Sequence, residues 1–237
     1  GLAVLFHEKP FSKINGSGKH LNWSLSTDKG ENLLEPTEHP KDNYRFLMMM
    51  ISVLKGVAEH GGALRTAVAT HSNDHRLGAN EAPPAIMSVF LGKNLQELFD
   101  DIQKYSEDNS SKKELKMAIE IQHLPRVRMD ESDRNRTSPF AFTGNKFEFR
   151  SVGSAQSISY PLTILNAVIA SGMNYVSSEL ESQLKNTNDV SSAVLATISK
   201  IMPQVRHVLF DGNNYSNEWK LEAEKRGLPI LKDTPSS

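Results

Sequence analysis

The chain has 237 residues and a mass of 26.4 kDa, with 38% hydrophobic and 23% charged residues, which suits one or two folded domains and argues against wholesale disorder. Lys plus Arg is 27 against 28 for Asp plus Glu, so the net charge of −1 supplies no global basic field for nucleic acid or an anionic membrane. Cysteine is absent, which excludes disulfides, iron–sulfur clusters and thiolate zinc sites, and no apolar run approaches the roughly 20 residues of a bilayer span.

The chain opens Gly1-Leu2-Ala3-Val4-Leu5-Phe6 without an initiator Met. The run is too short for a signal peptide and lacks a basic region before it. It reads as a buried strand entered in mid-fold. With the polar end at 232–237, it suggests a piece of a longer protein. Residues 20–26 alternate strictly, placing His20, Asn22, Ser24 and Ser26 on one strand face and Leu21, Trp23 and Leu25 on the other. Residues 44–58 are apolar all round and predict a buried helix, started by Pro40 and ended by Gly61-Gly62. Residues 106–113 and 128–138 read as surface loops, and 115–121 as a strand between them. Phe147-Glu148-Phe149-Arg150 predicts a strand with both rings in the core and Glu148 and Arg150 together on the opposite face. Further helices are predicted from Pro161 to about Leu184, from an N-cap at Asp189 to Met202 before Pro203, and over 217–226, closed by Gly227 and Pro229. Strands, together with some helices, are expected to dominate the first 150 residues, and the last 75 or so to be nearly all helix. The fold class is α+β with a helical tail.

Three clusters could carry chemistry. Asn15-Gly16-Ser17-Gly18-Lys19-His20 offers exposed backbone N–H groups and a cation, as a phosphate or carboxylate needs. It fails the P-loop pattern, because position 13 is Lys and position 20 is His. Taken alone, its plainer and favoured reading is a Gly-rich hairpin turn. In residues 73–84, a loop with apolar flanks, Arg76 could grip a carboxylate through its planar fork and Glu81 could act as a base or lid residue. The plainer reading is a solvated loop with a surface ion pair. Asp133-Arg134-Asn135-Arg136 and then Lys146-Phe147-Glu148-Phe149-Arg150 bring arginines beside a carboxylate, which suits a developing phosphoryl charge. The plainer reading of that Arg-rich loop is a solvated turn, its charge largely cancelled by Asp130, Glu131 and Asp133. His7-Glu8 does not continue to a zincin pattern, and Met48-Met49-Met50 reads as core filling.

In this order, the three clusters resemble the glutamine synthetase family. Lys9-Pro10-Phe11 followed by Asn15-Gly16-Ser17-Gly18, His20 and Ser24 looks like its ATP-region signature. Arg76-Leu77 with Glu81-Ala82-Pro83 is similar to its glutamate-carboxylate and flap loop, and 134–136 with 146–150 resemble its phosphate arginines and metal strand. The wording is similar to the long type III enzymes. The resemblance covers nearly the whole chain, most strongly residues 7–177. It implies a catalytic-domain antiparallel sheet with packed helices over 1–177, and an incomplete helical C-terminal region over 178–237.

The resemblance implies ligation of ammonia to glutamate with ATP through γ-glutamyl phosphate. It implies magnesium or manganese held by His20 and Glu148. Asn15 and Gly16 would meet the amino-acid end of glutamate and Arg76 its α-carboxylate. Ser24 and Arg136 would contact nucleotide, Arg136 and Arg150 would stabilise the transferring phosphoryl group, and Glu81 would sit on the closing flap. A cytoplasmic homo-oligomeric ring, a dodecamer in the family, is implied when the enzyme is full length, with no nucleic-acid or membrane partner. The family's earlier metal carboxylates and its β-grasp domain would lie upstream of Gly1. The chain departs from shorter synthetases at Asn22, where many carry a second His, and in an Arg76–Glu81 spacing one residue shorter. A related glutamate–amine ligase, and a nucleotide-binding or regulatory paralogue without catalysis, are the alternative expectations.

Overall fold

The computed structural model describes residues 1–37, 40–79, 82–104, 138–231 and 233–234. The predicted strand at 115–121, the loop at 106–113 and residues 128–137 of the second loop lie outside them. So do Glu81 and Arg136.

A four-stranded sheet has the order β1 (Gly18–Trp23), β4 (Phe147–Gly153), β3 (Phe140–Phe142), β2 (Val89–Phe90). The β1–β4 and β3–β4 pairs are antiparallel, while β2 and β3 run parallel. Parallel neighbours need a long crossover, and the chain between β2 and β3 begins with the helix α3 (Lys93–Lys104). The α+β expectation holds, with a mixed sheet. Phe147 and Phe149 are fully buried, and Phe140 stacks on Phe147 at 4.6 Å between ring centroids. Leu21 and Trp23 join them from β1. The alternation read from the sequence therefore sets the apolar face of the sheet.

Two long helices cover that face. The first, α1 (Pro40–Ala67), touches the sheet through Phe46 against Phe142. The second, α4 (Ser159–Leu184), is tied to it where Trp23 Nε1 donates to Asn166 Oδ1 at 2.8 Å. The helices cross with their backbones in close approach. A Cβ on Gly172 would fall 2.1 Å from the Ser52 carbonyl oxygen, and one on Gly56 would fall 2.4 Å from that of Val168. Glycine at both positions lets two apolar helices meet without side chains between them. The chain continues through α5 (Val190–Val205), which packs against α1, α3 and α4, a 3-10 turn (Arg206–Val208) and α6 (Asn217–Lys225). The α6 helix ends as predicted: Gly227 has φ +71°, its N–H donates to the Glu224 carbonyl, and the Leu228 N–H donates to that of Ala223.

Several sequence expectations are corrected. Residues 1–7 form no strand; Leu2, Val4 and Phe6 are exposed, and no ladder partner meets them among the described residues. An apolar run becomes a strand only where another strand completes its hydrogen bonds. Gly61-Gly62 does not end α1, which kinks at His60 (φ −125°, ψ 22°) and continues to Ala67. Gly61 packs against Met87 and Pro229 at distances that even a Cβ would accept, and the buried Arg65 beyond it fastens the last turn. Asp189 does cap α5 in position, but its carboxylate accepts from Ser192 Oγ at 2.7 Å and caps no backbone N–H. That helix passes through Pro203, held by buried Ile201, Met202 and Val205. Among the described residues of the first 150, strands do not dominate: α1 alone has 28 residues, and α2 (His71–Arg76) and α3 add more. In α3, Leu95, Phe99 and Ile102 recur at helical spacing and are buried.

Candidate active site

The polar side chains of the site stand on β1, an edge strand, and on β4 beside it. Their register pairs Asn22 with Glu148 and Leu21 with Phe149, then slips so that Lys19 faces Val152. The slip places His20 opposite two residues of β4, a β-bulge that bends the ladder locally. His20 and Glu148 are diagonal neighbours, a separation that long side chains can span. His20 Nδ1 lies 2.7 Å from Glu148 Oε1. The other carboxylate oxygen, Oε2, accepts from Arg150 Nε and Nη2, both at 2.8 Å. The three side chains thus form one line: imidazole, carboxylate, guanidinium. The ring is half exposed and the guanidinium is buried, so the line runs from solvent into the protein.

Glu148 feels opposing influences. Burial raises its pKa, but the Arg150 charge and hydrogen bonds, helped by His20, outweigh it and hold the carboxyl below the usual range. The group is an anion at neutral pH. That is the state in which a carboxylate ligates a cation or orders an arginine.

Arg76 lies behind the same ladder. It ends α2, whose Thr70 cap accepts from the Asn73 N–H at 3.3 Å. The sequence predicts a loop over residues 73–84; Asn73 to Arg76 are helical instead. The Arg76 guanidinium is buried and donates from Nη2 to the Arg150 carbonyl at 3.0 Å. Nη1 donates to the Val152 carbonyl at 3.4 Å and to Asn73 Oδ1 at 3.2 Å. The Asn73 amide also donates to the Ser151 and Val68 carbonyls. Together they fill hydrogen-bond sites that the bulge opens in β4. Burial lowers the Arg76 pKa, and the nearby Glu8 carboxylate opposes that. The side chain stays protonated in any case.

The Gly-rich loop enters β1 over this guanidinium. A Cβ at Gly18 would lie 2.1 Å from Arg76 Nη2, and one at Gly16 would lie 3.1 Å from its Cγ. Those glycines are spacers for Arg76, a role that the sequence alone did not assign. Asn15 sits exposed on the same loop. At the far end of β1, Ser24 Oγ donates to Asn32 Oδ1 at 2.5 Å, and Asn32 Nδ2 donates to the Asn145 carbonyl at 2.8 Å. Ser24 therefore joins β1 to the turn before β4, a short distance along the ladder from His20.

The structure brings together His20, Glu148, Arg150, Arg76, Gly16 and Ser24 around one pair of strands. It also shows two residues that the sequence reading passed over, Glu8 and Asn73. In the sequence Glu8 stands beside His7 in a pair that completes no zinc motif. A buried acid beside a buried arginine far along the chain leaves no local periodicity to find. Among the described residues, no group of three or more His, Cys, Asp or Glu side chains is placed to hold a metal ion. The pair His20 and Glu148 fits a divalent cation in donor chemistry, an imidazole with an ionised carboxylate. Two donors fall short of a full shell.

Comparison with known proteins gives concordant results. The family model described as "Glutamine synthetase, catalytic domain" matches residues 1–92, and that described as "Glutamine synthetase C-terminal domain" matches residues 193–237. The chain is 44% identical over 243 aligned residues to a protein of Dictyostelium discoideum named "Type-3 glutamine synthetase", covering all of this chain and 32% of that one. It is 40% identical to a "Glutamine synthetase" of Bacteroides fragilis, covering 99% of this chain and 32% of that one. It is 42% identical to one of Butyrivibrio fibrisolvens, covering 98% of this chain and 33% of that one. The chain spans about a third of the length of these relatives.

Proposed function

This chain belongs to the glutamine synthetase family, and on that footing we propose that the natural polypeptide carrying it ligates ammonia to L-glutamate at the expense of ATP. The His20–Glu148–Arg150 line is the observation that carries this reading. It sets two ligands for a hard cation against a buried guanidinium, as phosphoryl transfer between two anions requires.

The chemistry runs in two displacements. The glutamate γ-carboxylate oxygen attacks the terminal phosphorus of ATP, and the bond from that phosphorus to the ADP oxygen breaks. Ammonia then attacks the acyl carbon of γ-glutamyl phosphate, loses a proton, and expels inorganic phosphate. Glutamine, ADP and phosphate result. The first step is needed because a carboxylate has no leaving group.

His20 and Glu148 are the residues that would hold magnesium or manganese. That cation would offset the negative charge of phosphates and carboxylate as they approach. Arg150 orders Glu148 through both contacts to Oε2, and its cation stabilises charge on the transferring group. Arg136 shares that duty and meets nucleotide, as does Ser24 at the outer end of β1. Arg76 receives the glutamate α-carboxylate, and its bonds to β4 fix the guanidinium before substrate arrives. Asn15 and Gly16 meet the amino-acid end of the same substrate. Glu81 belongs to the flap that closes over the acyl phosphate, which hydrolyses if water reaches it. The enzyme would work as a homo-oligomeric ring, a dodecamer by family likeness, in the cytoplasm. No described helix is long and apolar enough to cross a membrane.

A substrate panel tests the reading. ATP-dependent product formation is followed with glutamate and, in turn, ammonia, polyamines and, without glutamate, creatine. Strong preference for ammonia, with glutamine as product, is expected. Preference for another acceptor would replace the proposed reaction by a related ligase or kinase.

A further inference from the structure

The residue of this region with no role so far is Glu8. It is 1% exposed. Its Oε1 accepts from the Ala155 N–H at 3.1 Å, and its Oε2 is buried with no hydrogen-bond partner among the described residues. Its main-chain carbonyl accepts from the Ser17 N–H at 2.7 Å, in the middle of the Gly-rich loop. Half-satisfied buried carboxylates are costly, and they persist where a nearby cation offsets them.

The glycines show how that cation is kept close. Gly18 and Gly153 are cross-strand partners at the end of the β1–β4 ladder. A Cβ on Gly18 would strike the Arg76 guanidinium at 2.1 Å, and one on Gly153 would strike Glu8 Oε1 at 2.4 Å. A third, on Gly16, would lie 2.4 Å from the Glu8 carbonyl oxygen and 3.1 Å from Arg76 Cγ. Three bare positions therefore admit an acid and a base, one on each strand of the ladder, where side chains would exclude both. The charge of Glu8 also favours the protonated form of Arg76 against its burial.

We propose that Glu8 is a positioning residue for the amino-acid site: its buried carboxylate is the countercharge that keeps the Arg76 guanidinium under the Gly-rich loop, while its main chain holds that loop. The inference rests on Arg76 receiving the glutamate carboxylate. Without Glu8, the buried guanidinium keeps, among the described residues, its neutral acceptors at 3.0–3.4 Å and loses the charge that offsets its burial. It then relaxes toward solvent, and the preformed carboxylate seat is lost.

The test uses the natural polypeptide with Glu8→Gln, which preserves shape and removes charge, and Gly153→Ala, which displaces the carboxylate and leaves its charge. Glutamate saturation is read from phosphate release, and ADP binding from calorimetry. Both variants are expected to raise the KM for glutamate about tenfold, the size of one charge-assisted contact, with the ADP dissociation constant within about twofold of wild type. A merely structural role would weaken glutamate and nucleotide together, and that result overturns the proposal. So does an unchanged or lowered KM for glutamate. If either variant fails to fold, the other supplies the reading. If the wild type itself shows no glutamate-saturable phosphate release, the proposed function falls and this inference with it. If the wild type saturates and the variants match it, only this inference falls.

Discussion

Gly18→Ala isolates the packing of Arg76 without touching its charge. No left-handed φ is needed at Gly18, so the backbone accepts alanine. The obstacle is the new Cβ, 2.1 Å from Nη2 and 2.2 Å from Cζ, about 1.3 Å short of ordinary contact. The strand is held in register by its ladder to β4, so the guanidinium must move. Its acceptors lie at 3.0, 3.2 and 3.4 Å, and a shift of that size breaks the longer bonds or bends them out of line. Buried acceptors that lose a charged donor cost about 1–3 kcal/mol each before relaxation. Allowing for partial relaxation, the loss is about 2–4 kcal/mol. Backbone entropy alone predicts the opposite sign, a gain of about 0.5–1 kcal/mol for alanine over glycine in a strand. Equilibrium urea unfolding reads the difference as a lower midpoint at constant slope. Gly62→Ala is the control, since nothing lies within 4 Å of its would-be Cβ. A Gly18→Ala protein as stable as wild type, with an unchanged KM for glutamate, would refute the packing of Arg76 against this loop.

Three further outcomes are expected. Gly172→Ala drives a Cβ into the Ser52 carbonyl across the α1–α4 crossing and should cost about 1–3 kcal/mol in urea unfolding; a gain of about 1 kcal/mol, the bare helix-propensity result, would contradict that crossing. Asp74→Asn should cost about 3 kcal/mol, because Arg65 is fully buried against Asp74 at 3.1 Å and would keep an uncompensated charge; calorimetric unfolding within about 0.5 kcal/mol of wild type would refute it. Glu148 has its pKa lowered in the folded state, so its stabilising share is present above the unfolded value of 4.5 and is lost as pH falls through the folded value. The stability difference between wild type and Glu148→Gln should therefore shrink on acidification through that window. A difference that grows there would reverse the assignment.

What the sequence disclosed follows from the range of the interactions. The strands at His20 and Phe147 were legible because alternation is local, and it also predicted that Glu148 and Arg150 share a face. The long helix ending at Leu184 and the glycine stop at Gly227 were legible for the same reason. The N-terminal apolar run was misread because a strand is decided by a partner elsewhere in the chain. Gly61 was read as a stop because its packing against Met87 and Pro229 is tertiary. At the site, the chemistry of single residues was visible, but their wiring was not. The contact of His20 with Glu148 spans 128 positions, and Glu8 reaches Ala155 across 147. The bulge that offers β4 carbonyls to Arg76 leaves no mark in composition.

The most direct measurement is glutamate- and ammonia-dependent phosphate release from ATP by the natural polypeptide and its Glu148→Ala variant, at saturating magnesium. Turnover in the wild type and its loss in the variant, with ADP still bound, are expected if Glu148 links the cation to Arg150. Near-normal turnover without the Glu148 carboxylate would contradict that claim.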